Sequence, residues 1–366
     1  MNMALIIAIV FIVLSLLVLN IPSQLMPVYP NTEWEKRSPK DVGMSQEELK
    51  RFSEFVKGRG CVVRYGYIIY EWGDQSKCED VASAVKPFYS HFLFNALEDG
   101  LIKSLDEPVA NYEPRLKNLN SNLNYKDTKI TWRHLANQTA CYGVSENPGE
   151  AFDYNDWQMA LFYDSLFLKV YKTSWDKVDS DVLHPKLTDL ILCQDNPSFN
   201  AFGPNERAGR LSISVRDFAR FGLLYLRKGN WNGRQIISEK YTEMAITDPV
   251  PNSIPRTKGI MAEMIKGQRS IGSTKLPDNQ GEHFGSYSWL WWINGVDINK
   301  KRMWASAPTD TYGAFGHGGI RGMFVIPSLD IVVSYNDAKT LDGWINGDES
   351  PLNNAIKILV DSIIIK

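Results

Sequence analysis

From Met3 to Leu19 every position except Ser15 is apolar. A run of that length sits near the lower limit, ~17 residues, for a helix that spans a bilayer. No Lys or Arg precedes it, and no small-x-small cleavage site follows in Asn20-Ile21-Pro22-Ser23. Residues 1–21 read as an uncleaved hydrophobic anchor carrying an extracytoplasmic domain. The alternative is a secretory signal that is cut off. Residues 22–41 are rich in proline and polar side chains and read as a linker, which leaves 42–366 as the folded domain. Ser45-Gln46-Glu47-Glu48 has capping-box form and opens an amphipathic helix to about Lys57. Two β-rich runs, Cys61–Arg64 and Tyr67–Trp72, flank Tyr65-Gly66 and predict a hairpin.

The pattern turns helical from about Ser83 to Gly100. Pro87 is compatible with a helix only near its start, which places the N-terminus close to Ser83. Residues 101–280 read as helices and loops, with Ser214-Val215-Arg216-Asp217 capping a helix that continues through Arg227. Strand signals return at Tyr287–Ile293, Met323–Ile326 and Ile331–Tyr335, and a last helix is expected from Pro351 to Ile363. Strands near both ends with helices between predict an α+β fold, within the broad α/β class. Its antiparallel sheet draws on both termini and is flanked by helices, beside a mostly helical lobe at roughly 101–280.

Composition narrows the function classes. The chain has 366 residues, 44% of them hydrophobic, so it can bury a large core. Its formal net charge of −2, without a dense basic cluster, gives no footprint for nucleic acid. Four cysteines (Cys61, Cys78, Cys141, Cys193) lack C-x-x-C spacing, and the histidines are scattered, so no metal or other cofactor is expected.

The candidate chemistry begins at Ser83-Ala84-Val85-Lys86. Positions i and i+3 share a helix face, so the lysine amine can meet the serine hydroxyl. A hydroxyl is a weak nucleophile until a base takes its proton. The motif alone is weak, since Ser174-Trp175-Asp176-Lys177 repeats it. Only Ser83 follows a hairpin, opens an apolar helix, and is succeeded by Tyr154-Asn155-Asp156 and then His317-Gly318-Gly319.

With those pieces in that order, the chain resembles the serine β-lactamase and penicillin-binding-protein superfamily. Ile130–Thr139, Pro148–Tyr154 and Arg210–Gly222 add matching phrases. Within it the chain is most similar to the branch of esterases and 6-aminohexanoate-oligomer hydrolases. The resemblance implies Ser83 as nucleophile, Lys86 as acceptor or relay of its proton, and Tyr154 as base in acylation and acid towards the leaving group. It implies an oxyanion hole from the N–H groups of Ser83 and Ile320. Asn155, Asp156, His317, Gly318 and Gly319 would support the site or the substrate.

Two departures matter. Asp156 stands where the motif usually ends in asparagine, and an anion there could hold Lys86 protonated. His317 replaces a lysine that favours substrates with a free carboxylate, which points instead to an uncharged ester or amide, although Arg321 could restore positive charge. The expected function is hydrolysis of an ester or amide through an acyl-enzyme on Ser83. The alternatives are a D,D-peptidase or weak β-lactamase, or a non-catalytic membrane-anchored acyl sensor.

Overall fold

The computed structural model describes residues 28–343 and 345–364; the apolar run and the expected 1–21 anchor lie outside them. Among the described residues, no helix is long and apolar enough to cross a membrane.

Tyr65 (φ 55°) and Gly66 (φ 86°) both adopt the left-handed conformation. That pair forms the tight primed turn whose twist matches the flanking strands, β1 (Arg59–Arg64) and β2 (Tyr67–Trp72). Two short pairs follow in the middle of the chain: β3 (Glu79–Asp80) with β4 (Ser212–Ile213), and β5 (Asn230–Trp231) with β6 (Arg234–Gln235). The C-terminal part supplies β7 (Tyr287–Ser288), β8 (Trp291–Ile293), β9 (Tyr312–Gly316), β10 (Arg321–Ile326) and β11 (Ile331–Asn336). These join the first hairpin in a seven-stranded antiparallel sheet, ordered β2-β1-β11-β10-β9-β8-β7. The two ends of the chain meet where β1 pairs with β11, Arg59 opposite Asn336 and Arg64 opposite Ile331. The α+β architecture expected from the pattern is the one observed.

Every residue of β1 and β11 is buried, so both faces of the sheet are covered. The helix Val215–Leu226, capped by Ser214 as expected, packs on β1, β10 and β11. Gly222 makes that approach possible, because a methyl group there would lie 2.6 Å from Val332 Cγ1 and 2.8 Å from Met323 Sδ. The helix Gln46–Val56, capped by Ser45, packs with Pro351–Asp361 and brings Phe52 edge-on to Trp72 at 5.8 Å.

The structure differs from the sequence expectation in two places. The Val215–Leu226 helix falls within residues 101–280 but belongs to the sheet layer, not to a separate lobe. The stretch read as linker is partly folded onto the domain. Trp34 is buried and donates Nε1–H to Arg216 O at 3.2 Å, and Ile68 N–H donates to Glu35 O at 3.0 Å. Proline and polar content marks absent periodicity, but short extended segments still pair with an open strand edge such as that of β2.

Gly222→Val should overpack the helix–sheet contact and cost about 1–3 kcal/mol, read as a lower urea midpoint with an unchanged slope.

Candidate functional site

Val81 N–H donates to Leu211 O at 2.9 Å, which extends the β3–β4 pairing up to the residue before a 3₁₀ turn, Ala82–Val85. That turn runs directly into the helix Lys86–Glu98, with Pro87 at its second position, as the proline required. Side chains three apart eclipse in a 3₁₀ turn. Lys86 Nζ accordingly donates to Ser83 Oγ at 2.7 Å. The helix behind is anchored by Phe88, which stacks on Phe221 at 3.9 Å between ring centroids. Ala82, immediately before Ser83, is held at φ 52°, a strained conformation for a residue with a Cβ.

The second segment enters from the other side. Asn155 caps the helix Asp156–Tyr163 by accepting Gln158 N–H at 2.7 Å, and its amide donates to Asp153. It is buried and supports the backbone without facing the cleft. Lys86 Nζ lies 4.6 Å from the centre of the Tyr154 ring and 3.4 Å from Asp156 Oδ1. Asp156 Oδ2 accepts Ser273 N–H at 2.8 Å, its own N–H donates to Asp278 at 2.9 Å, and Gln280 N–H donates to Tyr154 O at 2.9 Å. The loop 271–280 is thus pinned across the tyrosine segment.

Charge follows from these contacts. Burial works to lower the Lys86 pKa, but the negative charge and hydrogen bonding of Tyr154 and Asp156 outweigh it, and the pKa is raised. Burial works to raise Asp156, yet Lys86, Ser273 N–H and Gln280 hold it below the usual carboxylate range. The two form a buried ion pair, so Lys86 is an ammonium at neutral pH.

The third segment corrects an expectation. The Ile320 N–H, expected in the oxyanion hole, donates to His317 O at 3.3 Å and closes the turn between β9 and β10. His317-Gly318-Gly319 is that turn, with φ of 51°, 66° and 103°. The strand beside the nucleophile is β9 itself. A Cβ on Gly316 would clash with Val81 O and lie 2.9 Å from Ser83 N, so only glycine fits there. Asn294 N–H donates to Thr311 O, which places the backbone groups of 311, 313, 315 and 317 on the β8 side of β9. β8 pairs only as far as Gly313, so the His317 N–H lies on an open edge, next to the glycine that touches Ser83.

Ser83, Tyr154, Asp156, His317, Gly318 and Gly319 all line one cleft of ≈ 290 Å³. Trp292, Phe315 and Ile345 add apolar wall, and Arg210, Ser273 and Gln280 add polar wall. Ser273, Gln280 and Ile345 lie in irregular loops, where no periodicity marks them. Arg210 and Phe315 stand inside or beside recognised phrases but carry no signal of their own. Arg321 is engaged by Asp80 and is not a wall residue. Trp289 and Trp291 are fully buried core. The second Ser-x-x-Lys copy is unrelated to the site, since Ser174 Oγ donates to Asp176 at 2.6 Å.

Asp153, behind Tyr154, has its pKa pushed up to about 7, chiefly by burial, with Asp278 and Glu146 adding to it against the Asn155 amide. Between about pH 4 and 7 the folded chain holds a proton that the unfolded chain has released. This group's contribution to stability is therefore complete below about pH 4 and declines as pH rises. Denaturation of Asp153→Asn beside wild type should show the variant gaining relative stability from about pH 4 to 7. A pH-independent difference would contradict the raised pKa.

No protein-family model matches the chain. It is 20% identical over 341 residues to an uncharacterized protein of Alkalihalophilus pseudofirmus, covering 81% of this chain and 89% of the other. Among solved structures it is similar to a Bacillus anthracis protein assigned as a 6-aminohexanoate-dimer hydrolase (17% identity, 92% and 89% coverage, TM-score 0.59). It is also similar to a β-lactamase from Mycobacterium bovis (18%, 86% and 99%, 0.55). A third is EstCE1, described as a hydrolase with promiscuous acyltransferase activity (14%, 87% and 97%, 0.53). The chain therefore shares the fold of the β-lactamases, penicillin-binding-protein homologues and esterases among the solved structures.

Proposed function

We propose that the chain is a serine hydrolase that cleaves an ester or amide through an acyl-enzyme on Ser83. One observation carries this reading: a buried ammonium donates to an accessible hydroxyl at 2.7 Å on the wall of a cleft, with a phenol beside both. The hydrolases among the similar structures support it.

Because Lys86 is held as an ammonium, it relays and stabilises charge and does not itself begin as the base. Tyr154 acts as the phenolate beside that ammonium, and its oxygen takes the Ser83 proton as Ser83 Oγ bonds to the substrate carbonyl carbon. The same proton passes to the leaving oxygen or nitrogen as its bond to carbon breaks. The phenolate so restored takes a proton from water as the water oxygen bonds to the acyl carbon, and gives it to Ser83 Oγ as the acyl–serine bond breaks and the acid leaves. Charge on the carbonyl oxygen is met by the N–H groups of Ser83 and His317, in place of the Ile320 donor implied by the family resemblance. Trp292, Phe315 and Ile345 suit an apolar acyl or leaving group. Arg321 is occupied by Asp80, which favours the uncharged substrate expected from the loss of the motif lysine.

The Asp156–Lys86 pair also favours a second reading, an acyl sensor that labels without turning over. A fluorophosphonate probe and 4-nitrophenyl esters separate the two. Labelling and turnover, both lost in Ser83→Ala and reduced by about 10²-fold or more in Lys86→Ala, support the hydrolase. Labelling alone supports the sensor, and neither in wild type defeats both.

Asp156→Asn tests the charge assignment. Without the carboxylate, one of the groups that oppose burial at Lys86 is lost and its pKa falls. The alkaline limb of the kcat/KM profile should then move to lower pH. A limb that stays in place would show that the ammonium is not required.

A further inference from the structure

The two proposed oxyanion donors belong to different segments, the nucleophile turn and the end of β9, and their separation must be held to a fraction of an ångström to bind one oxygen. We propose that Asp80 is the positioning residue that holds them. This inference rests on the Ser83 acyl-enzyme reading above and adds to it a residue that is neither in the cleft wall nor in any of the three motifs.

Asp80 ends β3, three residues before the nucleophile, and its side chain is mostly buried. Oδ1 accepts Ala82 N–H at 3.0 Å and Arg210 Nε at 3.0 Å. Oδ2 accepts Arg210 Nη2 at 2.5 Å and Arg321 Nη1 at 2.7 Å, and the Asp80 backbone carbonyl accepts the same Arg321 nitrogen at 2.8 Å. The carboxylate therefore grips three segments at once. The bond to Ala82 N–H is an Asx turn, and it holds the strained residue directly before Ser83. Arg321 opens β10 immediately after the His317–Ile320 turn, so its bond holds the β9–β10 side. Arg210 comes from the run leading into β4 and reaches the cleft.

Other arginine–aspartate pairs in this chain, such as Arg227–Asp330 and Arg216–Asp195, have no hydrogen bond to the backbone beside the nucleophile. At Asp80 two guanidinium groups share one carboxylate. The cluster keeps an excess of one positive charge near the atom where negative charge develops in the transition state.

The test uses the full chain with Asp80→Asn and Arg321→Gln, a 4-nitrophenyl ester and phenylboronic acid. The boronic acid bonds to the serine oxygen and places a hydroxyl where the oxyanion would sit. Fluorophosphonate titration counts active molecules, so a folding defect is separated from a defect per site. Asn can still accept Ala82 N–H but no longer carries the charge that binds both arginines. We expect kcat per titrated site to fall about 10-fold or more, with KM changed less than about 3-fold and boronate affinity weakened in parallel with kcat. Arg321→Gln, which removes only the link to β10, should show a smaller loss in the same two quantities. The proposal is overturned if kcat per titrated site is unchanged in both variants, or if kcat falls while boronate affinity holds. A wild type without labelling or turnover defeats the Ser83 reading itself and this proposal with it, whereas active wild type with indifferent variants defeats only the role of Asp80.

Discussion

A lysine with almost no access to solvent must be paired or lose its proton, and that constraint organises the site. Lys86 keeps its charge because Tyr154 and Asp156, from a distant segment, converge on an amine that also donates to the Ser83 hydroxyl in its own turn. Moving any one segment would leave a buried charge partly unmatched, a costly state. The need to neutralise one ammonium therefore also fixes the nucleophile turn, the tyrosine segment and, through Ser273 and Gln280, the loop laid over them. Structure and chemistry are met by the same contacts.

The sheet makes that convergence possible. Pairing of β1 with β11 brings the two ends of the domain together, and the turn after β10 then hands the chain back to β11 in register. The nucleophile turn packs against β9 and β10, at the place where β8 has stopped pairing. Gly316 is the contact point, and its missing side chain is what lets the two backbones approach so closely. Strain at Ala82 and His317, both left-handed, is concentrated at this junction and held by the packing around it.

The anion in the tyrosine motif changes the division of labour more than the fold. With asparagine there, burial would act on Lys86 with less opposition. With Asp156 the opposition is strong enough that the Lys86 pKa is raised and the amine keeps its positive charge. Asp153 and Asp278 lie close by with pKa values raised mainly by burial, so this end of the cleft combines one ionised carboxylate with two that resist ionisation.

Much of this was legible in the chain. The hairpin at Tyr65-Gly66, the caps at Ser45 and Ser214, the helix start enforced by Pro87, and the meeting of Ser83 with Lys86 all follow from local rules, because each depends on residues within a turn of one another. The ordered motifs were enough to group Tyr154, Asp156 and His317 with Ser83. What the sequence could not decide was which backbone amide faces the nucleophile. That depends on where β8 stops pairing and on a clash at Gly316 with residues more than 200 positions away. Local patterning likewise could not show that Asp80 joins Ala82, Arg210 and Arg321, or that Ser273 and Gln280 reach Asp156. Those partners are distant along the chain and sit in segments without periodicity, so only the folded arrangement brings their charges and donors within bonding distance.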